Sequence, residues 1–156
     1  MKRNGMKRAI IGAAGLLLLA TSTGSPARTR PSLTDSNRRI VTAFARIFYI
    51  ERDVRKAFRT FVADRYIQHN PNIADGREAA IAALAPKFSA PGARFEIRHI
   101  IVDGDMAVIH LRGRPSPEAL GGAVADIYRL ENSKIVEHWD VLQPVPAKSA
   151  NANGVI

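Results

Sequence analysis

No cysteine occurs among the 156 residues, which excludes a disulfide framework, a thiolate zinc site, an iron–sulfur centre and a cysteine nucleophile. A lipid-anchored lipoprotein is excluded with them. Also missing are a Gly-x-Ser-x-Gly elbow, a phosphate-cradling glycine loop, a histidine pair at zincin spacing, an internal repeat and a low-complexity tract. Nucleotide binding and a serine triad are therefore unsupported, and neither a metal nor a cofactor is expected. No apolar run reaches the ~20 residues, at about 1.5 Å each, that span a hydrocarbon core of ~30 Å. The N-terminal one, Ala9 to Ala20, has twelve.

What is present is the balance of one globular domain, 46% hydrophobic and 24% charged. The formal charge of +9 suggests a nucleic acid or an anionic membrane as partner. Its distribution argues against both. From Arg28 onward the chain has 19 basic and 14 acidic residues, and from Ile40 onward 15 and 13. A nearly neutral domain offers no basic groove for a phosphate backbone, and it lacks the interleaved aromatics on which single strands stack. No nucleic-acid partner is expected.

The excess charge belongs to an N-terminal pattern: Lys2, Arg3, Lys7 and Arg8, then the apolar run, then small and polar residues from Thr21 to Ala27. That is the layout of a secretory signal. Ser25-Pro26-Ala27 offers a cleavage site, Ala20-Thr21-Ser22 competes with it, and an uncleaved anchor is the alternative reading. The expectation is a signal over residues 1–27, a linker over 28–36, one domain over 37–144 and a tail over 145–156. The mature protein is then exported, periplasmic or secreted, with no stable membrane span.

From Thr34 the spacing is helical, with Ile40, Val41, Phe44, Ile47 and Phe48 on one face. Asp53 is placed to cap a second helix carrying Val54, Ala57, Phe58, Phe61 and Val62 and ending near Ala63. The stretch Tyr66 to Pro71 breaks the period, because a residue preceding proline is disfavoured in helix. A third helix is expected from Gly76 to Phe88, with Pro86 near its end. Thereafter residues alternate. Phe95, Ile97, His99 and Ile101 share a strand face, Asp103-Gly104 makes a hairpin turn, and Val124–Leu130 pairs with Lys134–Leu142 about Asn132-Ser133. The fold class is α+β, with three N-terminal helices packed on a curved antiparallel sheet.

Strand parity about Asn132-Ser133 pairs Leu130 with Ile135, Tyr128 with Glu137 and Asp126 with Trp139. It sets Asp126 into an apolar face with Trp139 and Val141, and leaves Ile127, Arg129, Val136, His138 and Asp140 on the other. His99, Met106, Val108 and His110 fall together by the same argument. Burial raises a carboxylate's affinity for protons toward neutral pH, where an acid or base works best, so Asp126 is the candidate acid/base group. The alternative is a structural Asp satisfied by Tyr128 or a backbone amide. His69, His99 and His110 are either site imidazoles or packing and capping residues, and Trp139 is either core or a wall for a planar substrate.

Four ordered motifs carry a family resemblance: Tyr66 to Pro71 with Asp75 to Glu78, Val102 to Asp105, Asp126 to Leu130, and Lys134 to Val141. Together they resemble the SnoaL-like polyketide cyclases of the nuclear transport factor 2-like superfamily. The resemblance implies three helices closing a strongly bent antiparallel sheet around a conical pocket, usually in a homodimer. It implies that Asp126 is the proton-transfer group of an aldol-type ring closure, that His69 stands at the pocket mouth, and that Glu137 and Trp139 face the pocket. Glu131-Asn132-Ser133-Lys134 departs from the acid-Asp-Gly-Lys turn common in the family. An export signal also points away from polyketide ring closure, which works on cytoplasmic intermediates. The expected function is a cofactor-free acid/base enzyme acting on a small apolar carbonyl compound by lyase, isomerase or aldol-type chemistry. Asp126, His69 and His110 are its expected catalytic residues, and Tyr66, Tyr128, Glu137 and Trp139 its substrate contacts. The runner-up is an exported binding protein with the same pocket and no chemistry.

Overall fold

The computed structural model describes residues 31–156, so the expected signal over 1–27 lies outside the described residues. Helix α1 spans Leu33–Ala45 and so begins inside the stretch read as linker. Its first turn is capped by the Ser32 hydroxyl, which accepts from the Asp35 amide at 3.0 Å. A π-helical turn, Arg46–Ile50, prolongs it. Asp53 caps α2, Val54–Phe61, by accepting from the Lys56 amide. Helix α3 covers Arg77–Ser89 and continues through Pro86. Among the described residues no helix is long and apolar enough to cross a membrane.

The strands are β1 (Val62–Gln68), β2 (Arg94–Asp103), β3 (Met106–Arg114), β4 (Gly122–Glu131) and β5 (Lys134–Pro144). They form one sheet in the order β1-β5-β4-β3-β2. This corrects the expected all-antiparallel sheet, because β1 pairs with β5 in parallel. The edge strand escapes sequence reading for a physical reason. Its exposed Asp64 and Arg65 interrupt the apolar alternation, and only Val62 and Tyr66 are buried.

Two irregularities decide which side chains face the helices. In β2, Ile97 pairs with Leu111 but His99 with His110, so Arg98 is an extra residue. In β5, Ile135 pairs with Leu130 but Glu137 with Arg129, so Val136 is an extra residue. Each bulge bends its strand and reverses the facing of everything beyond it. The turns flanking them are tight: Asp103 pairs with Met106, so Gly104-Asp105 makes the bend instead of Asp103-Gly104. Asn132 and Ser133 both adopt positive φ, the geometry of a two-residue hairpin turn.

The helices cover one sheet face and enclose an aromatic core. Phe44 packs against Phe48, Phe58 and Tyr128, and Phe88 stacks between Phe48 and Phe95. Buried Asn37 ties α1 to the β2–β3 turn by donating to the Gly104 carbonyl, while the Gly104 amide donates to Thr34. Residues after Pro144 form no helix or strand.

Candidate active site

The inner sheet face and the helices leave a cavity of about 210 Å³, lined at its polar end by Tyr49, Tyr66, Gln68, Asn70, Asp126, Tyr128, His138 and Asp140. Phe48, Phe58, Phe88, Phe95 and Leu111 supply apolar walls. An apolar cavity of roughly 150 Å³ holds one benzene. The space here suits a single ring or a short chain.

Asp126 lies at the polar end, 8% exposed. The Tyr49 hydroxyl donates to its Oδ2 at 2.5 Å, and His138 Nε2 meets its Oδ1 at 3.0 Å. Tyr49 spends its one proton on that short bond, so Tyr128, at 2.8 Å, donates to Tyr49. Tyr49 reaches the carboxylate because the π turn widens the helix: Ile47, Phe48 and Tyr49 are consecutive and all buried.

The proton inventory at His138 follows from its other neighbour. Gln68 Oε1 accepts from the Asn70 amide at 2.9 Å, which fixes the orientation of the Gln68 side chain. His138 Nδ1 meets the same oxygen at 2.9 Å and must donate to it. Nε2 and Asp126 Oδ1 then share one proton, either as imidazolium with carboxylate or as imidazole with carboxylic acid.

Asp140 completes the cluster, accepting from Asn70 Nδ2 at 2.5 Å. Ligand atoms of Asp126, His138 and Asp140 lie within 4.8 Å of one another, a grouping that sequence spacing does not reveal. Both ring nitrogens of His138 are engaged, with Gln68 and Asp126, so a cation that takes a His138 nitrogen displaces one of those bonds. All three phenols have their affinity for protons pushed well up, chiefly by burial and next by the Asp126 charge. They are neutral donors. Tyr66 is the one whose proton is not committed to Asp126 or to another tyrosine.

The SnoaL-like domain family model matches residues 38–138, the segment that contains Asp126 and His138 and ends two residues before Asp140. The chain belongs to the SnoaL-like domain family. Among solved structures, it resembles an NTF2-like protein from Mesorhizobium loti, at 21% identity over 74% of this chain and 97% of that one, with TM-score 0.63. A proposed SnoaL-like polyketide cyclase from Jannaschia sp. CCS1 matches at 19% identity, covering 74% and 91%, with TM-score 0.56. A proposed ketosteroid isomerase from Kribbella flavida matches at 11% identity, covering 79% and 89%, with TM-score 0.62. At these identities the likeness is one of fold. No curated protein matches the chain.

Within this SnoaL-like domain, Asp126, Tyr66 and Tyr128 line the cavity, and the other expected site residues do not. The bulge at Val136 turns Glu137 and Trp139 to the outer sheet face and brings His138 and Asp140 inside, the reverse of the simple parity expected for β5. His69 follows them outward: it stacks on Trp139 with ring centroids 4.7 Å apart, and its Nε2 meets Glu137 at 2.9 Å. His110 stacks on His99, sharing a face as expected, but on the side away from Asp126, because Ile109 is the β3 residue paired with it. Tyr49, Gln68 and His138 were not expected in the site. The signal for Tyr49 is the unbroken run Ile47 to Ile50, wider than one helical stripe.

On the outer face Glu137 accepts from Arg129 Nε at 2.8 Å. Its carboxyl is held below the usual range, first by the hydrogen bond with His69 and then by Arg129. A carboxylate with depressed proton affinity stabilises the fold above its unfolded value, around 4.3, and that contribution is lost as pH falls through its folded value. Glu137→Gln is therefore expected to be less stable than wild type near neutral pH and to lose less stability on acidification. Thermal melts between about pH 7 and 3 check this; parallel losses in both proteins contradict it.

Proposed function

We propose that the domain is a cofactor-free acid/base enzyme acting on a small apolar carbonyl compound. The observation that carries this reading is the buried Asp126 carboxyl, bonded to Tyr49 and His138 and opening onto a cavity with aromatic walls. With the carbonyl oxygen toward Tyr66 and the α-carbon toward Asp126, the α-C–H bond breaks and its proton passes to the carboxylate. The electron pair moves to the oxygen, where the Tyr66 hydroxyl stabilises the developing negative charge. Return of the proton at another carbon is an isomerisation, and attack of the enolate on a second carbonyl is an aldol closure. His138 moves the shared proton toward or away from Asp126, so one carboxyl serves as acid and base in turn. His69 and His110, on the far face, have no part in this chemistry.

A binding protein uses the same kind of pocket. Native mass spectrometry of the protein purified from its own host distinguishes the two. Conversion of the recovered molecule during incubation supports the enzyme; recovery unchanged after prolonged incubation overturns it.

We further propose that the protein is exported, on the strength of the N-terminal charge and apolar pattern, and that it pairs through the outer sheet face. That face presents Ile67, Ile101 and Val141, each at least 45% exposed, beside Trp139. A two-fold contact buries such a surface against its own copy. On that face Arg129 pairs with Glu137 of its own chain, while Asp140 faces the cavity. Light scattering on the full chain is expected to return twice the monomer mass, and Val141→Lys to return a monomer.

A further inference from the structure

The inner row of β3 and β4 ends in an unusual cross-strand pair. Gly113 faces Gly122 at the positions that follow Leu111 and Val124 along each strand. Two adjacent inward positions therefore carry no side chain. Gly113 is not held there by backbone strain, since its φ is not among the positive ones. A Cβ added to it meets only Phe95 and Val124, both at 3.8 Å. A Cβ on Gly122 would meet the Gln143 carbonyl oxygen at 3.0 Å, so the close approach of β5 keeps that position bare, and both glycines line a groove of about 470 Å³ between the end of α3 and the strand ends. It adjoins the cavity over Asp126, with Lys87, Phe88, Phe95, Val124 and Leu142 lining both.

Charge is distributed unevenly along this combined space. The inner end holds Asp126 and Asp140, the groove holds Arg114 and no acidic residue, and Lys87 lies where the two meet. Arg114 donates one guanidinium N–H to the Pro117 carbonyl at 2.7 Å, and its Nε is buried without a partner. An apolar channel with cations at its outer end complements a molecule that is apolar in the middle and anionic at the end.

We propose that the groove is a second subsite of the same pocket and that its ligand is an elongated monocarboxylate. The apolar chain lies over the Gly113–Gly122 pair and the carboxylate lies at Lys87 and Arg114. Resting on the acid/base reading for its inner end, the substrate is then an oxo acid, with its carbonyl at Asp126 and its carboxylate at the groove.

Decanoate and decanol, equal in chain length and different in charge, serve as probes in calorimetric titrations of the full chain. Wild type is expected to bind decanoate at least tenfold more tightly than decanol. Lys87→Glu combined with Arg114→Glu removes that preference, and Gly113→Leu weakens both probes at least tenfold. Equal affinity of wild type for the two probes overturns the proposal, as does an unchanged decanoate affinity in either variant. If Gly113→Leu fails to fold, the charge variant alone decides. Asp126→Asn separates the two readings: it slows the chemistry but retains the carboxylate preference, and loss of that preference places the anion at the inner end and overturns the groove assignment.

Discussion

Asp126→Asn is expected to lower the rate of α-proton exchange in a small ketone by about 10²- to 10⁴-fold, the range over which a positioned general base contributes. The substitution removes the base and keeps the shape. An amide at this position still accepts from Tyr49 through its oxygen and donates to His138 Nε2 through its nitrogen, so the hydrogen bonds of the buried cluster survive. The fold is therefore expected to melt within a few degrees of wild type. Deuteration of cyclohexanone in D₂O, followed by proton NMR, gives the rate for both proteins, and circular dichroism gives the melt. Equal exchange rates remove Asp126 from the chemistry. A collapsed melt assigns it a structural role instead.

The second large effect lies in the core that shapes the cavity. Phe44 is fully buried and packs its ring 5.2 Å from Phe48, 5.8 Å from Phe58 and edge-on at 5.4 Å from Tyr128. Removing it leaves a hole bounded by the rings of Phe48, Phe58, Phe61 and Tyr128. Phe44→Ala is expected to cost about 3–5 kcal/mol, a large part of the roughly 5–15 kcal/mol that holds a domain folded. Urea unfolding measures it as a lower midpoint at unchanged slope. A loss below about 1 kcal/mol contradicts the packing described for α1.

Much of this arrangement is legible in the residues. The three helical stripes, the Asp53 cap and the turn at Asn132-Ser133 follow from periodicity and local chemistry, and they place Asp126 and Tyr128 on the buried row of β4. The β5 residues face opposite to simple parity because one unpaired residue, Val136, reverses the facing of all that follow. Nothing in composition marks that bulge. Both rows of β5 mix apolar and polar residues, so hydrophobic alternation favours neither register. Strand β1 was hidden by its charged exposed positions. Its consequence for the site is large, since it carries Tyr66 and Gln68. The resemblance that aligned Trp139 and Glu137 with the pocket inherited the same parity error. His138 and Asp140, one residue along from each, occupy the cavity.

The claim at the centre of the mechanism is that Asp126 and His138 share one transferable proton, with His138 Nδ1 committed to Gln68. Long-range proton–nitrogen NMR of ¹⁵N-histidine-labelled protein reads that pattern directly. At neutral pH the His138 Nδ1 resonance is required to be that of a protonated nitrogen, and Asp126→Asn should move the Nε2 resonance while leaving Nδ1 in place. A bare Nδ1, with the proton on Nε2 alone in both proteins, contradicts the shared proton and the acid/base role built on it.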